Sequence, residues 1–151
     1  MADALAFDAP NLTTSNTVEL LTKVTKSVVI HEFKFTEALE HALKQCLILG
    51  KHTAVIHITP QYVTKYLWAH KKYQPWGVKL SLQCSQCGIL NSWLLAFVGD
   101  TQAYGVECKN PCCGRDSNPQ KQPKFFTVLR PEGSILLSCN KEAGWLKKTV
   151  D

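Results

Sequence analysis

Cys84-Ser85-Gln86-Cys87-Gly88 and Cys108-Lys109-Asn110-Pro111-Cys112-Cys113-Gly114 are two glycine-terminated cysteine clusters, and twenty residues separate Cys87 from Cys108. Two thiolates set two residues apart reach one ion because the chain turns back on itself. A glycine such as Gly88 tolerates the positive φ of that turn. Ile89–Glu107, with Gly99-Asp100-Thr101 as its turn, has the length of a hairpin that would carry the second cluster back to the first. Buried structural thiols are the competing reading, since free cysteine packs like a small hydrophobe. Two glycine-terminated clusters favour a tetrahedral thiolate shell around a structural Zn2+. Four thiolates leave no coordination position for water or substrate.

In this pattern, residues 84–114 resemble a zinc ribbon, a module of two cysteine knuckles at the ends of short antiparallel strands, with Phe125–Arg130 as a candidate third strand. The resemblance implies that Cys84, Cys87 and Cys108 are metal ligands. It departs from the ribbon pattern at the second knuckle, where Cys112 follows Cys108 after three residues and Cys113 after four. Loop length favours Cys112 as the fourth ligand. Cys113 is the alternative, because it precedes Gly114 as Cys87 precedes Gly88.

Composition agrees with intracellular thiols. Seven cysteines cannot all pair internally. The start, Met1-Ala2-Asp3-Ala4-Leu5-Ala6-Phe7-Asp8, has acids where a secretory signal needs bases. The longest apolar runs fall far short of a bilayer span. The expectation is a reducing, nuclear or cytoplasmic location with no membrane contact, where clustered cysteines bind metal more often than they cross-link. In 151 residues, 17 Lys+Arg against 12 Asp+Glu give +5, spread over both halves. That charge permits nucleic acid without requiring it.

Upstream of the cysteines the chain reads as a small α/β layer of three strands and two to three helices over residues 17–83, after a flexible lead-in over 1–16. Asn16 and Glu19 suggest a capping box for a helix near 17–27. Val28–Phe35 reads as a strand, and Thr36 as the cap of a helix stopped by Gly50. Thr53–Ile58 reads as a second strand. Thr59-Pro60 then opens a helix with Val63, Tyr66/Leu67 and His70 on one face, and Val78, Leu80 and Leu82 alternate in a third strand. Helical crossovers would make these strands parallel. Downstream, Ile89–Val98, Gln102–Glu107, Phe125–Arg130 and Ser134–Ser138 read as strands, with Pro131-Glu132-Gly133 as a hairpin turn. The predicted class is α+β: the layer, then an antiparallel ribbon-like β unit over 84–139, then a C-terminal segment, 140–151, with Trp145 docking back.

Cys46 and Cys139 fall on apolar positions and read as core. His41 and His52 read as solvated, and His31, His57 and His70 as structural imidazoles. No phosphate loop, dinucleotide fingerprint or Gly-x-Ser-x-Gly elbow is present, so no catalytic residue is assigned and the reading is non-enzymatic. One enzymatic alternative resembles the caspase-like cysteine peptidases, with His57 ending one strand and Cys84 ending the next as base and nucleophile. A metal-bound Cys84 thiolate is not free for that role. The leading ligand is nucleic acid, through Lys109, Arg115, Lys121 and Lys124 around the second knuckle, where Asp116 is the single acid. Trp93, Tyr104, Phe125 and Phe126 are candidate stacking faces. The alternative is a protein-interaction module anchored by Trp68, Tyr73, Trp76 or Trp145, although Tyr73-Gln74-Pro75-Trp76 also reads as a packing wedge.

Overall fold

The computed structural model describes residues 3–9, 12, 14–90, 93–99, 102–113 and 125–150, with the backbone alone for Phe125. In chain order the elements are β1 (Ala4–Phe7), α1 (Thr14–Val29), α2 (Phe35–Gln45), α3 (Leu47–Gly50), β2 (Val55–Ile58), β3 (Val63–His70), a 3-10 turn (Pro75–Gly77), β4 (Trp93–Val98), β5 (Ala103–Cys108), β6 (Phe125–Leu129), β7 (Ile135–Ser138) and β8 (Ala143–Val150). The protein is α+β, with two antiparallel sheets among the described residues. The chain forms two compact units: Met1–His70 with Glu132–Asp151, and Lys71–Pro131.

The first unit is a five-stranded sheet in the order β1-β2-β3-β8-β7, with helices against one face. Strand alternation puts Val55, Tyr66, Trp68 and Trp145 on that face, where they meet Leu20 and Val24 of α1, Leu39 and Leu43 of α2, and Leu49 of α3. Burial of these apolar side chains drives the assembly. The polar atoms that go with them are satisfied locally. The Trp145 indole N–H donates to the Leu43 carbonyl at 2.7 Å, in the last turn of α2 where carbonyls lack helical partners. Glu40 accepts from Lys147 at 2.6 Å and from the Tyr66 hydroxyl at 3.4 Å. Gly50 lies so close to Trp68 that a Cβ there would fall 2.7 Å from the indole ring.

Several expectations upstream of the cysteines are corrected. The lead-in contains β1: Leu5 and Phe7 pack against the core, and Asp8 pairs with Lys65 at 2.6 Å. Helix α1 begins at Thr14, so Asn16 lies inside it and the capping box does not form at its start. Val28–Phe35 is not a strand. Val28 continues the buried face of α1, whereas Val29 and Ile30 are exposed at its end, and α2 starts at Phe35. Thr36 is therefore inside α2, which breaks at Cys46 before α3.

Thr59-Pro60-Gln61-Tyr62 is a hairpin turn rather than a helix start, closed by Thr59 N–H to the Tyr62 carbonyl at 3.0 Å and by Tyr62 N–H to Thr59 Oγ1 at 3.0 Å. The following segment is β3, paired antiparallel with β2 and β8, so the parallel crossover reading fails. Val78–Leu82 is no strand. Gln83 makes an isolated bridge with Leu90, and Val78 and Leu82 are exposed.

The second unit holds a three-stranded sheet in the order β4-β5-β6. Pairing of β4 with β5 confirms the hairpin that joins the knuckles, although Asp100 and Thr101 of its turn lie outside the described residues. Strand β6 pairs with β5, whereas β7 pairs with β8 in the other sheet, so Pro131-Glu132-Gly133 is not a hairpin turn. The C-terminal segment supplies β8, an interior strand of the first sheet, and its Trp145 is fully buried in the core. Trp76 packs within its own unit, with ring centroids 5.6 Å from Tyr104 and 6.3 Å from Phe97. The Arg130 guanidinium sits 5.3 Å from its ring centroid.

Candidate metal centre

The first knuckle is a tight turn closed by Gly88 N–H donating to the Cys84 carbonyl at 2.8 Å and Cys84 N–H donating to the Ile89 carbonyl at 3.1 Å. Gly88 has φ +71°, the left-handed backbone for which glycine is suited. The second knuckle grows from the end of β5 at Cys108. Asn110 and Pro111 occupy the first two positions of a β-turn, a placement their chemistry favours. Cys113 N–H donates to the Asn110 carbonyl at 2.9 Å, and Cys112 N–H donates to Asn110 Oδ1 at 3.0 Å.

These turns bring together the thiols of Cys84, Cys87, Cys108 and Cys113, all within 4.8 Å of one another. The Sγ atoms of Cys84 and Cys113 are 3.6 Å apart, and those of Cys87 and Cys108 are 3.7 Å apart. A disulfide needs about 2.05 Å, and none of the seven cysteines is in one. Thiolates at about 2.3 Å around a tetrahedral ion would stand about 3.8 Å from each other. The cluster therefore has the donor set and the spacing to hold one metal ion. No other such group of His, Cys, Asp or Glu occurs among the described residues.

The fourth thiol in the cluster is that of Cys113. Cys112, favoured on spacing, is exposed and outside the group. The sequence signal that identifies Cys113 is Asn110-Pro111: a β-turn that begins at Asn110 returns the chain at its fourth residue. Burial alone would raise the Cys84 thiol pKa, but the backbone amides of Gln86 and Cys87 and the thiols of Cys113 and Cys108 outweigh it and bring it down to about 6. The Cys87 thiol is lowered by the Ile89 backbone amide and then by the Asn110 side chain. Cys84, Cys108 and Cys113 are buried, with Trp93 packed against them and its indole N–H held by the Ser81 carbonyl at 2.6 Å.

The remaining candidates divide. Lys109 is exposed at the second knuckle, while Arg115, Lys121 and Lys124 lie outside the described residues. Tyr104 is buried in the core and presents no open stacking face, whereas Phe126 is half-buried in a T-shaped contact with Trp93 at 5.5 Å. Trp68, Trp76 and Trp145 are buried and Tyr73 is exposed. Cys46 and Cys139 pack against the first unit's core, where burial pushes both thiols up. His41 and His52 are exposed as expected; His31 is exposed too, near Phe33, rather than structural.

His57 lies inside β2, fully buried, with the Phe35 ring at 5.2 Å and Asp3 Oδ1 at 3.5 Å from Nε2. The peptidase-like reading needs His57 at a strand end and a strand leading into Cys84, and neither is formed. No known protein family, curated protein or solved structure matches the chain. No helix among the described residues is long and apolar enough to cross a membrane.

Proposed function

We propose that the protein is a non-enzymatic binding module whose second unit is built around a structural zinc ion held by Cys84, Cys87, Cys108 and Cys113. The observation that carries this is the convergence of four thiols, and only thiols, within 4.8 Å. An all-sulfur set of four suits zinc, and its closed shell leaves no site for a reacting water. The zinc-ribbon resemblance of residues 84–114 supports the same reading. Metal analysis of protein purified without added metal tests it. One zinc per chain is expected, retained by Cys112→Ser and lost by Cys113→Ser. Iron in place of zinc, or full zinc retention by Cys113→Ser, would overturn it.

The ligand class that goes with this support is nucleic acid. The supporting features are the exposed Lys109 beside Cys108 and the cations Arg115, Lys121 and Lys124 that follow it in the sequence. Phosphate neutralisation by these groups would make binding steeply salt-dependent, with each lysine removed reducing the log–log salt slope by about 1. Titration of a labelled oligonucleotide against wild type and Lys121→Ala/Lys124→Ala at several salt concentrations reads this directly. No binding at low salt would leave a protein as the partner.

A further inference from the structure

The first unit carries a cleft that the metal centre does not use. It opens where α3, the end of β3 and the turn between β7 and β8 meet, and encloses about 440 Å³, within the roughly 300–1,000 Å³ of small-molecule sites. Its floor is apolar, formed by Leu47 and Trp68. The Trp68 ring is fixed in place: Trp145 meets it in a T-shaped contact with centroids 5.6 Å apart, and Gly50 lies close against it. A floor fixed in this way costs a ligand little reorganisation.

The rim is rich in hydrogen-bond donors. Lys51 and Lys141 are exposed there, and neither has an ion-pair partner among the described residues. Asn140 Oδ1 accepts the backbone N–H of Glu142 and of Ala143, both at 2.8 Å. Those bonds fix the amide and leave its NH2 group to donate. The one carboxylate of the rim, Glu142, has Oε2 3.9 Å from His70 Nε2. Two ammonium groups and an amide NH2 over an apolar floor complement an acceptor-rich anion with an apolar body.

We propose that this cleft binds a small organic anion, a carboxylate or phosphate monoester carrying a ring. The acidic head lies between Lys51 and Lys141, and the ring lies on Leu47 and Trp68. This site is independent of the metal centre and stands whether or not zinc is held in the second unit. The test uses the full chain, titrated with phenyl phosphate, benzoate, inorganic phosphate and benzamidine and followed by amide chemical shifts. Phenyl phosphate or benzoate should bind saturably and shift the amides of Lys51, His70 and Glu142. Lys51→Met and Lys141→Met should each weaken binding by about two- to fivefold, as expected for loss of one exposed ion-pair contact, without changing the melting temperature. Lys79→Met, at an exposed lysine of the second unit, should change nothing. The proposal is overturned by absence of saturable binding, by binding that survives the double lysine variant, or by equal binding of benzamidine. Equal binding of inorganic phosphate would overturn the role given to the floor.

Discussion

Asn110 serves both knuckles. Its carbonyl and Oδ1 accept the amides of Cys113 and Cys112, and its side chain bonds the Cys87 thiol. Asn110 thus favours the Cys87 thiolate while shaping the turn that delivers Cys113. Outer contacts of this kind are typically worth about 10–100-fold in metal affinity. Asn110→Ala should weaken zinc binding by that order in competition with a chromophoric chelator, and unchanged affinity would remove the role. The Cys84 thiol gives a pH signature. Its folded pKa of about 6 lies below the roughly 8.5 of an unfolded thiol, so its contribution is fully present above the unfolded value and is lost as pH falls through the folded one. Three of the four clustered thiols were legible from spacing alone. Cys113 is legible only as the alternative, through the glycine that follows it, because counting residues between cysteines ignores the turn that Asn110-Pro111 imposes.

Elements were legible where only one periodicity fitted. The β4–β5 hairpin could be read because its apolar runs flank a turn and carry no helical repeat. Strand β3 was misread because Val63, Tyr66/Leu67 and His70 also fit a helical repeat, while the buried positions Thr64, Tyr66 and Trp68 follow a period of two. Thr59-Pro60 suited a helix start and a hairpin turn alike, and tertiary pairing with β2 and β8 decided between them. The Val28-Val29-Ile30 run shows the limit of β propensity, since Val28 serves the buried face of a helix and the other two are exposed. The fit of α3 onto β3 depends on Gly50. Gly50→Ala places a methyl against the Trp68 ring, and overpacking of this kind should cost about 1–3 kcal/mol, seen as a lower urea midpoint with an unchanged m-value.

At the scale of the molecule, the second unit is one uninterrupted segment of chain, whereas the first is assembled from segments on either side of it. The α+β class follows from local patterns, but the discontinuity does not. Nothing in the sequence of Ala143–Val150 says that it pairs with a strand made long before it. Metal removal should act on one unit. With chelator, amides of β4 and β5 should lose hydrogen-exchange protection while those of β3 and β8 keep theirs. Loss of protection in all four strands would show that the protein unfolds as one body.

Because β3 pairs with β8, Val63 with Val150 and His70 with Ala143, the order of synthesis sets an order of assembly. All four clustered cysteines are translated before β8 exists. If the proposed ion is bound, the second unit can take it up and close while β3 still lacks its partner strand, leaving Tyr66 and Trp68 without Trp145 beside them. During that interval the sheet of the first unit has an open edge along β3, the kind of edge that recruits other chains. Closure of that edge waits on residues 143–150, so a nascent chain stalled just short of them would hold its metal and still be prone to aggregate.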